Sequence, residues 1–332
     1  MTFNTQTKMS KQIKIVLFIV LLCNISIAQQ DPQFTQYTYN MSVVNPAYAT
    51  NDFGTLNLGA NYRKQWTNTI GGPRTVSFFG HTPFNDKIEM GITFTNDQIG
   101  QDVIEINEKN INADFAYLLT LNNNSKLSLG LKAGFTLYDS AFNGQLINPN
   151  DPTFTNDVNQ VYPTIGAGAY YFTDQYYIGL SAPNFLRTTQ LDDSVVATKL
   201  GKEEIHLYMI GGYVFSVNDT FKLKPSVMAR AVKGAPVNVD LSVNTLLYDR
   251  FEAGLSYRLD DAISGIVGFR VTPSFKVAYS YDATVSDFSN YNNGSHEIVL
   301  LFDVSLVFCE KTFITQNVKL IIKSFFIIKT CF

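Results

Sequence analysis

The sequence predicts an all-β fold, an outer-membrane antiparallel β-barrel of about 14 strands with an irregular N-terminal periplasmic segment, and three observations carry that expectation. Segments of about ten residues alternate apolar and polar side chains, the period-2 signature of strands with one greasy and one wet face. Short and long connections between these segments also alternate along the chain. The charges, scarce overall, fall on the wet face, where they can pair in a hydrated or plugged lumen.

Composition supports a membrane setting. Of the 332 residues, 16% are charged and 14% aromatic, with 26 Phe and 18 Tyr; soluble proteins carry about 25% charged residues. So few charges leave a conventional aqueous surface undersupplied. The formal net charge of −3, with no basic stripe, argues against nucleic acid as a partner.

Residues 1–28 read as a signal peptide. Lys8, Lys11 and Lys14 precede an apolar run from Ile15 to Ile27, and Ser26-Ile27-Ala28 offers small residues for cleavage. The apolar core is short for a transmembrane helix, the competing reading. Of three cysteines, Cys23 lies in this signal and Cys309 and Cys331 in the C-terminal tail, which supports neither a disulfide framework nor a Cys-based metal site. No other run before residue 313 is apolar and long enough to cross as a helix, so a membranous mature chain must cross as strands.

Residues 29–50 form a periplasmic or plug-like segment rich in Gln, Asn and aromatics, with a turn signal at Asn45-Pro46. The barrel is assigned to residues 51–308. Its first strand, Leu56 to Trp66, sets Leu58, Ala60 and Tyr62 opposite Asn57, Asn61 and Arg63. Thr75 to Thr82 and Lys87 to Thr95 follow, the latter placing Ile88, Met90, Ile92 and Phe94 against Glu89, Gly91 and Thr93. Asn110–Leu121 and Lys126–Leu137 flank a polar turn at Asn122 to Ser125 and form the most legible hairpin. Strands at 163–172 and 176–183 share the turn Thr173-Asp174-Gln175, and Ile205–Phe215 and Phe221–Ala229 share Val217 to Thr220. About four strands fill Pro236 to Asp282, where Val237, Val239, Leu241 and Val243 oppose Asn238, Asp240, Ser242 and Asn244. His296–Val304 is the last. The longest connections are expected after strands three, five, seven and thirteen. Residues 309–332 diverge, mixing apolar residues with lysines, and are assigned to a non-barrel tail because a fifteenth strand would break the even count.

The predicted lumen charges are Glu89, Asp114, Lys132, Asp240, Glu252, Arg258, Lys276 and Asp282, of both signs and all on the polar face. Tyr and Phe near strand ends match interfacial aromatic girdles. Catalytic chemistry is not indicated. His81, His206 and His296 are scattered without a second ligand at metal spacing, no nucleophile elbow G-x-S-x-G is present, and Asp192-Asp193 and Asp260-Asp261 lie in connections as solvated turn residues. No phosphate-binding glycine loop occurs. The expectation is a protein that is not an enzyme and uses no cofactor or metal.

Ordered short motifs run through the chain: Gln30-Asp31-Pro32-Gln33-Phe34-Thr35-Gln36-Tyr37, Asn45-Pro46-Ala47-Tyr48-Ala49, residues 177–184 (YIGLSAPN), Lys224-Pro225-Ser226-Val227, residues 234–240 (GAPVNVD), Gly254-Leu255-Ser256-Tyr257-Arg258, Tyr279-Ser280-Tyr281-Asp282 and Gly294-Ser295-His296-Glu297-Ile298. Together, over residues 30–304, they resemble the PorP/SprF family of the Bacteroidota type IX secretion system. The resemblance implies an outer-membrane protein of a Gram-negative bacterium. It implies one that meets membrane lipid, works with secreted C-terminal-domain-bearing proteins such as gliding adhesins, and acts beside other secretion-system components, in protein secretion, cell-surface display and gliding motility. No catalytic residues transfer from the family. For partner contact, the expected residues are Asp31, Pro32, Phe34, Gln36, Tyr37, Asn45, Pro46 and Tyr48, together with the long loops. A general outer-membrane solute channel or hydrophobic-compound transporter is the alternative on the same architecture.

Overall fold

The computed structural model describes residues 32–50, 52–101, 104–122, 124–142, 158–186, 204–306, 310–315 and 318–323. Its strands are β1 (Thr55–Lys64), β2 (Arg74–Asn85), β3 (Ile88–Gln101), β4 (Ile104–Asn122), β5 (Ser125–Phe142), β6 (Val158–Thr173), β7 (Tyr176–Ala182), β8 (His206–Tyr213), β9 (Phe215–Asn218), β10 (Phe221–Val232), β11 (Asn238–Leu247), β12 (Phe251–Arg258), β13 (Ala262–Thr272), β14 (Phe275–Thr284) and β15 (Ser295–Ser305). Each pairs antiparallel with its neighbours. β8 and β9 both pair with β10 and make one stave interrupted at Val214, so the wall is a closed barrel of 14 strands. Closure runs through β1 and β15, from Thr55↔Ser305 to Lys64↔His296. Bonding every strand to two others is how a sheet satisfies its backbone in lipid.

The faces divide as the alternation requires. On β5, Leu129, Leu131 and Phe135 are exposed on the outside, while Ser128, Lys132 and Thr136 are buried inside. On β12, Leu255 is 67% exposed and Ser256 is buried. A one-residue register slip would turn every such lumen residue into lipid, so the greasy face fixes the register.

The rims also differ. One carries the tight turns between β2 and β3, β4 and β5, β6 and β7, β9 and β10, β11 and β12, and β13 and β14, together with the start of β1 and the end of β15. Connections at the opposite rim include residues 65–73 and 285–294, the latter folding into a short 3-10 helix at Asp287–Tyr291. These two loops are tied together: Thr67 N–H donates to the Gly294 carbonyl at 2.8 Å and Asn293 N–H to the Thr67 carbonyl at 2.8 Å.

One expectation is corrected here. The connection after the third strand is not long: β3 and β4 stay paired through Gln101↔Ile104 and meet across residues 102–103. Likewise β5 reaches Phe142 and β6 starts at Val158, narrowing the polar connection expected over 138–161. β3 to β6 have 14, 19, 18 and 16 residues, against the 9–11 or so a tilted strand needs to cross. Their far ends therefore stand beyond the bilayer. There the outward positions Lys109 and Asp139 form a half-exposed ion pair at 3.3 Å in place of apolar residues, and the alternation that marks a lipid-facing strand disappears. The predicted connection after strand five now falls within residues 143–157 and, like most of that after strand seven (187–203), lies outside the described residues. In the tail, β16 (Glu310–Thr315) and β17 (Val318–Lys323) pair with each other as a separate hairpin and add no stave to the barrel.

Candidate functional site

The lumen holds the chain's own N-terminal segment, residues 32–50. Its conformation follows from local sequence. Two turn bonds, Tyr39 N–H to the Gln36 carbonyl and Asn40 N–H to the Tyr37 carbonyl, both 3.0 Å, lead into the single helical turn α1 (Met41–Val44). α1 stops because Asn45 precedes a proline and is driven to extended backbone, φ −136° and ψ 111°. The Asn45 side chain then accepts the Ala47 N–H at 2.9 Å, and Tyr48 N–H closes on the Asn45 carbonyl at 3.0 Å, the turn chemistry that Asn-Pro favours.

At the long-connection rim the segment is gripped by a buried cluster from β1, β14 and β15. Glu297 accepts two successive backbone N–H groups, Thr35 on Oε2 at 2.8 Å and Gln36 on Oε1 at 3.1 Å. Arg63 lies between the two carboxylates, 2.9 Å from Glu297 and 2.7 Å from Asp282. The Thr35 hydroxyl donates to Asp282, and Asn61 donates to Glu297 at 2.9 Å. Buried charges of this kind are tolerated when each is paired and hydrogen-bonded.

In mid-lumen the wall is hollowed to fit the Asn45-Pro46 turn. A Cβ at Gly130 on β5 would run into the backbone of Pro46 and Ala47, and one at Gly168 on β6 into the Asn45 side chain. Asn45 Nδ2 donates to the Ala169 carbonyl at 3.2 Å, the Ser181 hydroxyl to the Val44 carbonyl at 2.8 Å, and Lys132 Nζ to the Ser42 carbonyl at 3.2 Å. At the tight-turn rim, Glu89 accepts the Thr50 N–H at 3.0 Å and hydroxyl at 3.1 Å, and Lys276 reaches the Tyr39 hydroxyl at 2.9 Å. The segment thus runs the length of the lumen before Gly54, at φ +83°, returns the chain into β1. Above the segment a basin opens, lined by Phe34, Tyr37, Lys132, Tyr208, Arg230 and Arg258.

All eight predicted lumen charges face inward; seven of them meet an opposite charge, and Glu89 meets the His81 ring. Asp282 meets Arg63; Asp240 meets Arg258 Nε at 2.7 Å; Asp114 meets Lys132 at 3.3 Å; Glu252 meets Lys276; and Glu89 lies 3.2 Å from His81 Nδ1. Sequence reasoning missed Arg63 and Glu297, which carry the grip on the segment; both occupy polar-face positions that the same alternation marks. Of the expected contact residues, Phe34, Gln36, Tyr37, Asn45 and Pro46 are buried against the wall, Pro32 and Tyr48 are half-buried, and Asp31 lies outside the described residues. Tyr48 packs edge-on to His81, with centroids 5.3 Å apart.

Residues 26–302 match the family described as type IX secretion system membrane protein PorP/SprF. The chain belongs to the PorP/SprF family. This PorP/SprF protein is accordingly an outer-membrane β-barrel of type IX secretion, a class of barrel whose tight turns are generally periplasmic and whose longer loops are outside. A comparison with curated proteins finds no match. Among solved structures, a Pseudomonas aeruginosa FadL homologue is similar at 14% identity, covering 79% of this chain and 92% of that chain, with a TM-score of 0.49. The Ralstonia pickettii toluene transporter TbuX is similar at 9% identity, with 80% and 93% covered and a TM-score of 0.47. For the Acinetobacter baumannii outer membrane protein Omp33 the values are 9%, 75%, 96% and 0.42. In the PorP/SprF barrel the grip of Glu297, Arg63 and Asp282 lies toward the long-connection rim, and the Glu89–Thr50 contact toward the tight-turn rim.

Proposed function

We propose that this outer-membrane barrel assists the export, or the attachment at the cell surface, of secreted C-terminal-domain-bearing proteins such as gliding adhesins, beside other secretion-system components. The occupied lumen is the observation that supports this reading. A barrel whose bore is filled from Thr35 to Thr50 by its own chain suits a holder of proteins better than an open solute path. Family membership supports the secretion setting. Among the described residues, the contact residues of the N-terminal segment are buried or half-buried when seated, so partner contact through them follows displacement of the segment, and the outer loops are the surface available before it.

Affinity purification of the barrel from outer membranes, followed by mass spectrometry, tests the reading. A secreted C-terminal-domain-bearing protein should co-purify, and its amount on the cell surface should drop in cells lacking the barrel. Absence of any such protein, with steady solute flux through the purified barrel in planar bilayers, would instead make it a general solute channel or hydrophobic-compound transporter.

A further inference from the structure

We propose that the lumen wall is a binding site for an uncharged, turn-rich polypeptide segment, and that residues 32–50 are its exchangeable occupant rather than a fixed part of the wall. Three observations lead there. First, residues 32–50 add no strand to the sheet. The wall grips them in part through side chains that bond the segment's backbone, Glu297 on the Thr35 and Gln36 N–H groups, Lys132 on the Ser42 carbonyl and Ser181 on the Val44 carbonyl, and in part through uncharged side chains of the segment itself, Thr35, Gln36, Asn40 and Asn45. Contacts to backbone groups are available to many sequences, in the way that main-chain bonds supply affinity in strand-addition complexes.

Second, residues 32–50 contain no Asp, Glu, Lys, Arg or His. The wall charges nearest them pair among themselves, Arg63 with Asp282 and Glu297, Lys132 with Asp114. Withdrawing the segment therefore leaves each of these ions with its partner, and water can take over the vacated hydrogen bonds. A charged occupant would leave an orphaned ion, which is far costlier. Third, the segment joins the barrel through a short link at Gly54, whose φ of +83° is the left-handed backbone open to glycine. The link precedes β1, which starts at Thr55, so it can be cut without removing a residue of the wall. The site is a property of the barrel alone and does not depend on which protein is secreted.

The experiment inserts a site-specific protease sequence between Asp52 and Phe53 of the full chain, cuts the folded barrel in detergent, and washes it. The probe is a fluorescein-labelled synthetic peptide of residues 32–50, followed by anisotropy. The chain's own segment should wash out and the labelled peptide should bind saturably. Glu297→Gln in the barrel takes the charge from both N–H bonds and turns one of the two acceptor oxygens into a donor, and should weaken binding at least about tenfold. A peptide carrying Thr35→Val should be weakened similarly on the unaltered barrel, a variant that places no demand on barrel folding. Failure of the cut barrel to release its segment or take up peptide over a day overturns the proposal. So does equal affinity across the Glu297→Gln and Thr35→Val variants.

Discussion

At the scale of single residues, Arg63 and Gly130 separate two kinds of support. Arg63 is 1% exposed and stands between Asp282 and Glu297. Arg63→Met strands two buried carboxylates, and loss of one partner from a buried pair costs about 3–5 kcal/mol; the urea midpoint of the barrel in detergent should fall accordingly. Gly130→Val acts differently, because its side chain would occupy the space of Pro46 and Ala47. Overpacking of this sort costs about 1–3 kcal/mol, and here the segment, which joins no strand ladder, yields before the hydrogen-bonded wall. Chymotrypsin should then cut at Phe34 and Tyr37 in the variant while the unaltered protein resists. The Asn45-Pro46 turn is legible in the sequence because its chemistry is local. Arg63 and Glu297 are 234 positions apart, and alternation tells which face a charge occupies but not which charge it meets across the bore.

At the scale of strands, the two-residue period carries nearly all the information. It marks Leu255 as lipid-facing and Ser256 as lumenal, and the structure agrees. Leu255→Lys should cost about 2–4 kcal/mol near the bilayer midplane and less toward an interface, measured as lost folding yield into lipid vesicles. Leu255→Val should fold normally. The same period fails on β3 to β6 beyond Asn96 and Lys109, which pair with each other. Outside the lipid nothing requires the outward residue to be apolar, so those extensions read as loop although their backbone ladders continue.

For the molecule as a whole, closure of the sheet between β1 and β15 satisfies the backbone all round the wall, so unfolding in detergent must break many bonds together. Unheated samples in SDS gels should migrate as a compact band and shift on boiling; a single unfolded mobility at both temperatures would contradict a closed barrel. Low charge and alternating connections made the barrel itself legible. The path of residues 32–50 through the bore was not, because a segment without periodicity shows no face to align.

The grip on that segment also bears on the order of assembly. Glu297, Asp282 and Arg63 belong to β15, β14 and β1, the strands on either side of the seam where the barrel shuts. Residues made first are thus bonded to strands made last, across a sequence separation whose closure entropy must be met before any contact rewards it. Thr35 and Gln36 can be seated only once the final hairpin has arrived. The segment is then a proofreader of its own synthesis: a truncated chain lacking β15 has no Glu297 to receive it, and is left with both an unsealed wall and an unclaimed leading end.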